Sequence, residues 1–232
     1  MNRLREEFFN FGVIARLFPA LVTEAMKNTV VFTLLGFSGG MMLGLVLALG
    51  RISRSRWLRW PAAFVVDTFR GLPALLVIVF IGFGLPIAFP WLHYPFPKYT
   101  PGCVALAIVA GAYIAETVRA GIEGVPRGQM EAARSLGMKY RTAMRRVVLP
   151  QAFRLVIPPL TNELALLFKD TSLLAVLGTE AGGKEILKYV RDAVNHSGNT
   201  SPLVAGGLAY LVITVPLLRV VAYLEARTRA SR

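Results

Sequence analysis

Five long apolar runs alternate with polar segments along the chain, near residues 28–50, 61–86, 102–120, 152–177 and 202–222. Each has roughly the 20 residues that an α-helix needs to cross about 30 Å of hydrocarbon. The pattern predicts an all-α integral membrane protein with five transmembrane helices. It also separates an amphipathic lead-in (1–27) and a short tail (223–232) from a membrane domain (28–222).

Charged residues are distributed unevenly between these segments. Sixteen basic and three acidic residues follow the first, third and fifth runs, whereas the remaining segments hold nine basic and seven acidic residues. Because cytoplasmic loops carry an excess of Lys and Arg, the count predicts an N-terminus outside and a C-terminus in the cytoplasm. The net charge of +13 is then mostly a topology signal that also suits anionic membrane lipid, and it does not indicate nucleic-acid binding.

Composition agrees with a membrane protein, and no motif indicates an enzyme. Only 17% of the residues are charged and the mean hydropathy is +0.55, whereas about 25% of residues are charged in soluble domains. The segment GTEAGGKE (178–185) departs from a P-loop because Glu185 stands where a hydroxyl would bind magnesium. His93, His196 and Cys103 lie apart from one another, so no metal site is predicted.

A basic polar segment between the third and fourth runs predicts a short helix outside the bilayer. Pro126 suits the first turn of a helix, and Gly137 suits a left-handed stop at its end. So small an apolar surface would fill a groove on a partner rather than anchor in lipid, although an ordinary basic loop is the alternative. The residues of that surface are Met130, Ala132, Ala133 and Leu136.

Several segments together resemble one protein family. EAARSLGM (131–138) followed by VVLP (147–150) resembles the EAA loop in permease subunits of bacterial ABC importers. Three further segments are similar to those of permeases for polar amino acids: FRGLP (69–73), AYIAETVRAGIEGVPRGQ (112–129) and LPQAFRLVIPPLTNELALLFKDTSLLAVLG (149–178). The resemblance spans about residues 28–222 and implies the type I ABC importer permease (MetI-like) fold in a bacterial inner membrane.

This resemblance also implies a division of labour between chains. The loop 123–150 would seat a coupling helix in a separate ATPase subunit, which would bind ATP and magnesium, while this chain would bind no cofactor. A second permease chain, identical or paralogous, would complete the path, and an external solute-binding protein would deliver a polar amino acid. The coupling residues would be Glu131, Ala132, Ala133, Leu136 and Gly137. A stand-alone secondary transporter or channel, or an ABC permease for another small solute, is the alternative.

Ionisable residues inside the apolar runs are the candidate site residues, because a charge at membrane depth needs a partner or a purpose. Glu163 falls near the bilayer midplane beside Asn162, and the resemblance places a substrate site there. An interhelical bond, or an ion pair with Arg70 or Lys169, is the alternative. The pairs Asp67–Arg70 and Glu116–Arg119 have the i, i+3 spacing of ion pairs, and are predicted to be structural or to form part of an inner gate. An outer gate or kink is expected at residues 169–172.

Overall fold

The computed structural model describes residues 6–90, 99–178 and 183–230, with the side chains described up to residue 227, and these residues are almost entirely helical. In chain order the helices are α1 (Phe11–Ala20), α2 (Lys27–Arg51), α3 (Arg56–Gly71), α4 (Ala74–Val79), α5 (Thr100–Glu123), α6 (Arg127–Ser135), α7 (Tyr140–Ala143), α8 (Leu149–Asp170), α9 (Ile186–Ser197) and α10 (Ser201–Ala230). Five further short segments extend them: π-helical turns at Leu21–Met26, Phe80–Gly84 and Met144–Val148, a single α-helical turn at Leu85–Ala88, and a 3₁₀ helix at Thr171–Leu177.

The amphipathic lead-in is continuous with the first predicted span. The π-helical turn joins α1 to α2, so that the chain is continuously helical from Phe11 to Arg51. At ~1.5 Å per residue this helix is about 60 Å long, roughly twice the hydrocarbon thickness. Leu21 and Ala25 are buried against α9 and α10. The lead-in is therefore part of the packed molecule, with no break at residue 27.

Three helices of the described part are long and apolar enough to cross a membrane: Glu6–Arg51, Thr100–Glu123 and Ser201–Arg227. A fourth candidate is the bent pair Arg56–Gly71 and Ala74–Ala88, whose axes meet at 105°. The 22-residue helix α8 carries four charged residues and falls below the same hydropathy test. Five spans and the outside N-terminus therefore stay predictions.

The second predicted span, 61–86, is not one straight helix. Within it, α3 crosses the end of α2, because Gly50 lies against Ala62 and an Arg51 nitrogen lies 2.8 Å from an Asp67 oxygen. The Leu58 carbonyl also lies beside Gly50. These contacts run along about 13 Å of α3 but only a few ångströms of α2. α3 therefore runs across the end of α2 and not alongside it, and the chain direction changes by 105° only after α3.

The core of the molecule is the contact between α2 and α5. Gly36, Gly40 and Gly44 face α5 and are buried. A Cβ atom at Gly40 would lie 2.9 Å from the Ala110 Cβ. Small residues four apart let two membrane helices approach closely, so the glycine spacing is a packing seam, as the sequence indicates.

Replacing Gly44 with Ala should destabilise the protein. The added Cβ would lie 2.8 Å from the Gly111 carbonyl oxygen and from the Ile114 Cγ2, so the two helices must separate. Overpacking of this kind costs about 1–3 kcal/mol. Thermal unfolding in detergent is the measurement, and we expect a lower midpoint. Gly207→Ala is the matched control, because a Cβ there meets nothing within 4 Å; an equal loss in both variants would contradict the packing argument.

Candidate functional site in the membrane domain

Helix α8 carries a polar stripe. It consists of Asn162, Glu163, Lys169 and Asp170; Lys169 follows Asn162, and Asp170 follows Glu163, by seven residues, or about two turns, which places them along one side of the helix. Leu166, between them, is 41% exposed. Ala165, Leu167 and Phe168 are buried on the remaining surface. One side of α8 thus packs into the chain, and its polar side faces outward.

Asn162 and Glu163, the N-terminal pair of the polar stripe, have no hydrogen-bond or ion-pair partner among the described residues. Within the described residues, neither the Asn162 amide nor the Glu163 carboxylate makes a hydrogen bond or an ion pair. Arg70, one suggested partner of Glu163, instead has its closest carboxylate at Glu116, 3.8 Å away. Both side chains are half-buried. A half-buried polar group is costly unless something bonds to it.

An ion cluster joins α2, α3 and α5 at the basic face, by which we mean the end of the molecule that carries Arg51, Glu123 and helix α6. Glu116 is its centre, because three guanidinium groups approach its carboxylate. Arg119 lies at 2.5 Å, Arg51 at 3.3 Å and Arg70 at 3.8 Å. Arg51 also binds Asp67, and Arg119 also binds Glu123. Three arginines thus balance three carboxylates, so the cluster is neutral.

The cluster differs from the predicted pairing of these residues. The Glu116–Arg119 pair is present within α5. Asp67 is joined to Arg51 rather than to Arg70, and Arg70 lies over the Tyr113 ring with 5.7 Å between the guanidinium carbon and the ring centroid. Bonds between helices therefore replace one predicted bond within a helix. Their effect is to fix helix α3 against the ends of two membrane helices.

The polar loop forms the short helix α6 outside the membrane helices. Pro126 is its N-cap rather than its first residue, and Gly137 has a left-handed φ of 81°. The Gly137 N–H donates to the Arg134 carbonyl (3.0 Å) and the Met138 N–H to the Ala133 carbonyl (3.2 Å). These two bonds are the Schellman arrangement that ends a helix. The position and the stop of this helix follow the prediction.

Part of the small apolar surface of α6 packs against its own chain, and the rest is exposed. Met130 packs against Val125 and Val148 of its own chain, and Ala133 is 4% exposed. Leu136 is 81% exposed, and Glu131 and Ala132 are exposed as well. Two residues therefore fix the helix to the chain, and the others are left for a partner.

Other predicted positions contribute less to a site. At residues 169–172 the α-helix changes into the 3₁₀ helix, with the Thr171 hydroxyl donating to the Phe168 carbonyl (2.7 Å). His196 lies in the last turn of α9 and is exposed, whereas His93 and residues 179–182 of the P-loop-like segment lie outside the described residues. In the described part of the chain, no three His, Cys, Asp or Glu side chains are grouped so as to hold a metal ion.

Glu185 is a structural residue that sequence reasoning missed. Its carboxylate accepts hydrogen bonds from the backbone N–H groups of Leu187 and Lys188 (both 2.6 Å) and from the Tyr210 hydroxyl (2.9 Å). The Ile186 N–H, at the start of the same turn, donates to the Thr29 hydroxyl of α2 (3.1 Å). Burial raises the pKa of Glu185 to about 7, although these bonds act in the opposite direction. Glu185 caps α9 and ties it to α10, while the Ile186 bond ties the same turn to α2; the one signal of Glu185 in the sequence is an acidic residue just before a helical pattern.

Comparison with known proteins identifies the family to which this arrangement belongs. The family described as binding-protein-dependent transport system inner membrane component matches residues 40–230. The chain belongs to this family. A segmented membrane domain with an exposed helix at the basic face agrees with a permease that works beside other subunits.

Individual relatives cover nearly the whole chain. The probable glutamine ABC transporter permease protein GlnM of Bacillus subtilis (strain 168) is 37% identical over 214 residues, covering 91% of this chain and 95% of the relative. The glutamine transport system permease protein GlnP of Escherichia coli (strain K12) is 32% identical, with coverage of 95% and 98%. The chain is thus a permease subunit of an ABC importer, and ATP hydrolysis belongs to a partner subunit.

Solved structures confirm the predicted fold. The crystal structure of an amino acid ABC transporter with histidines has a TM-score of 0.84 and 30% sequence identity, covering 94% of this chain and 98% of that chain. An inward-facing structure of the MetNI methionine ABC transporter has a TM-score of 0.66 at 18% identity, which shows the fold alone. The type I, MetI-like permease fold is therefore established, and an ATPase and a binding protein are the partners that the family implies.

Proposed function

We propose that this chain forms half of the path by which a polar amino acid crosses a bacterial inner membrane. A second permease chain, identical or paralogous, completes the path. The observation that carries the proposal is the polar stripe of α8. Its Asn162 and Glu163 side chains are half-buried and have no partner among the described residues. Relatives named for glutamine, cystine and arginine transport support an amino acid as the solute.

The Asn162 and Glu163 side chains suit the ammonium and carboxylate groups that every amino acid carries. The Glu163 carboxylate accepts hydrogen bonds from an ammonium group, and such charge-assisted bonds are among the stronger ones in proteins. The Asn162 amide both donates and accepts, so it can bond to either a carboxylate or an ammonium group. Hydrogen bonds from these two side chains would replace part of the hydration that the substrate loses on entering the membrane.

Energy for transport comes from the partner subunits. An ATPase subunit binds ATP and magnesium at the basic face, where it contacts the exposed Glu131, Ala132 and Leu136 of α6, and this chain binds no cofactor of its own. An external solute-binding protein delivers the substrate on the opposite face. ATP-driven closure of the ATPase subunits is transmitted through α6 to α8, since Met130 packs on the residues that lead into α8.

Ligand-stimulated ATPase activity tests the proposal. The chain is reconstituted in vesicles with its ATPase subunit, its second permease chain and the cognate binding protein, and ATP hydrolysis is measured across the amino acids and across sugars and peptides. We expect one or a few polar amino acids to stimulate hydrolysis. Stimulation by a sugar or peptide alone would contradict the amino-acid assignment, and failure to assemble with any ATPase subunit would contradict the proposed partnership.

A further inference from the structure

Helix α3 presents an aromatic surface that its own chain does not cover. Trp57, Trp60 and Phe64, at the spacing i, i+3 and i+7, are 90%, 70% and 74% exposed. With Arg56 and Pro61 they line an open depression of about 660 Å³. We call these five residues the α3 surface. Ala62 and Val66, on the opposite side of the helix, are buried at 7% and 0% exposure, so the α3 surface points away from the protein.

Two arginines beside these aromatic rings are not neutralised by the chain. Arg56 and Arg59 are exposed, and neither makes an ion pair or hydrogen bond within the described residues. Arg51 and Arg70, by contrast, are paired with carboxylates in the ion cluster. The N-terminal half of α3 therefore carries uncompensated positive charge, and the only carboxylate of the helix, Asp67, lies in its C-terminal half.

The position of α3 decides what meets this surface. A helix that runs across the end of α2, which is long and apolar enough to cross the membrane, is expected near the membrane plane, where headgroups meet acyl chains. Tryptophan is enriched at that level because its ring is amphipathic. In-plane amphipathic helices with basic residues beside aromatic ones bind anionic lipid surfaces, since apolar rings enter the boundary and the cations meet phosphate.

We propose that the α3 surface, together with Arg59, is a binding site for anionic phospholipid of the surrounding membrane. The lipid phosphate binds the guanidinium groups of Arg56 and Arg59, and the upper part of the acyl chains packs against Trp57, Trp60 and Phe64. The charge complementarity selects an anionic headgroup over a zwitterionic one. This site is separate from the polar stripe and does not depend on which solute is transported.

Quenching of tryptophan fluorescence by brominated lipid tests the site in the assembled transporter. The chain holds three tryptophans, so the permease is prepared as Trp91→Phe, which leaves only Trp57 and Trp60. Tryptophans of the partner subunits are replaced by Phe as well, so that all of the fluorescence comes from α3. Quenching by dibromo-phosphatidylglycerol is compared with quenching by dibromo-phosphatidylcholine. We expect a preference of roughly 25-fold for the anionic lipid, which falls about fivefold in Arg56→Gln or Arg59→Gln and is lost in the double variant.

The double variant Arg219→Gln, Arg227→Gln is the matched control, because it removes two exposed cations from α10 and leaves α3 intact. Its anionic preference should equal that of the parent protein. Equal quenching by both lipids in the parent, or an equal loss in the control, would overturn the proposal. Absence of quenching by either lipid would also overturn it, since a second copy of the chain or the ATPase subunit would then cover the α3 surface.

Discussion

Glu163→Gln should raise the KM for uptake about 10-fold to 100-fold while leaving the amount of assembled transporter unchanged. The estimate follows from the roughly 1.5–3 kcal/mol that a hydrogen bond to a charged group contributes. Gln keeps the size of the side chain but removes the charge that the substrate ammonium group would meet. Because the carboxylate has no partner in the described chain, its neutralisation breaks no bond within the fold. Uptake by vesicles that contain the whole importer, measured over a range of substrate concentrations, gives the KM.

Glu7→Gln is the control for this prediction. Glu7 is exposed, and the hydrogen bonds recorded at this residue use its backbone carbonyl, which accepts from Thr200 and Ser201 side chains of the same chain. The chemical change is the same, yet uptake should keep the parent KM. A loss of assembled transporter in Glu163→Gln, with normal KM in whatever assembles, would show a structural role in the contact with the second permease chain. An unchanged KM and unchanged substrate preference would contradict substrate binding.

The fold could be predicted wherever apolar length and small-residue spacing determine it. Runs of roughly 20 apolar residues located α2, α5 and α10. The spacing of Gly36, Gly40 and Gly44 indicated the surface of α2 against which another helix packs, which is α5. Helix α3 was not recognised as a separate helix because only a few polar residues, among them Asp67 and Arg70, interrupt the apolar residues between α3 and α4. The signal was local: Gly71 and Pro73 break the helix at FRGLP, and the basic residues before Trp60 mark an amphipathic segment.

Spacing along one helix predicted some contacts and missed others. The i, i+3 spacing found the Glu116–Arg119 pair but not the partner of Asp67, which is Arg51 of α2. The Pro126 to Gly137 pattern found α6 with its left-handed stop. Spacing along one helix says nothing about which helices cross, so Arg51 was not connected with Asp67 or Glu116. Glu185 was missed for the same reason, since its partner Tyr210 lies in another helix.

Gly137→Val should lower uptake roughly tenfold while the protein still enters the membrane. At φ 81° a side chain with a Cβ is strained by about 1–2 kcal/mol, and β-branched residues fit this conformation worst. The strain is relieved if the Schellman turn opens, and that changes the direction of the adjacent Leu136. Since the remaining contacts of α6 to its own chain are few, its exposed surface then no longer fits the ATPase subunit. Uptake per assembled transporter, and ATP hydrolysis with and without substrate, are the measurements.

Gly137→Asn separates backbone strain from steric contact. A Cβ at this position meets nothing within 4 Å in the chain, so both variants add their side chains to open space. Asn tolerates the left-handed conformation, and it should therefore retain most of the uptake that Val loses. If Val and Asn lower uptake equally, the loss comes from a side chain that collides with the ATPase subunit. Full, substrate-stimulated uptake in both variants would mean that the end of α6 does not transmit ATP-driven closure, and the coupling role of this helix would be wrong.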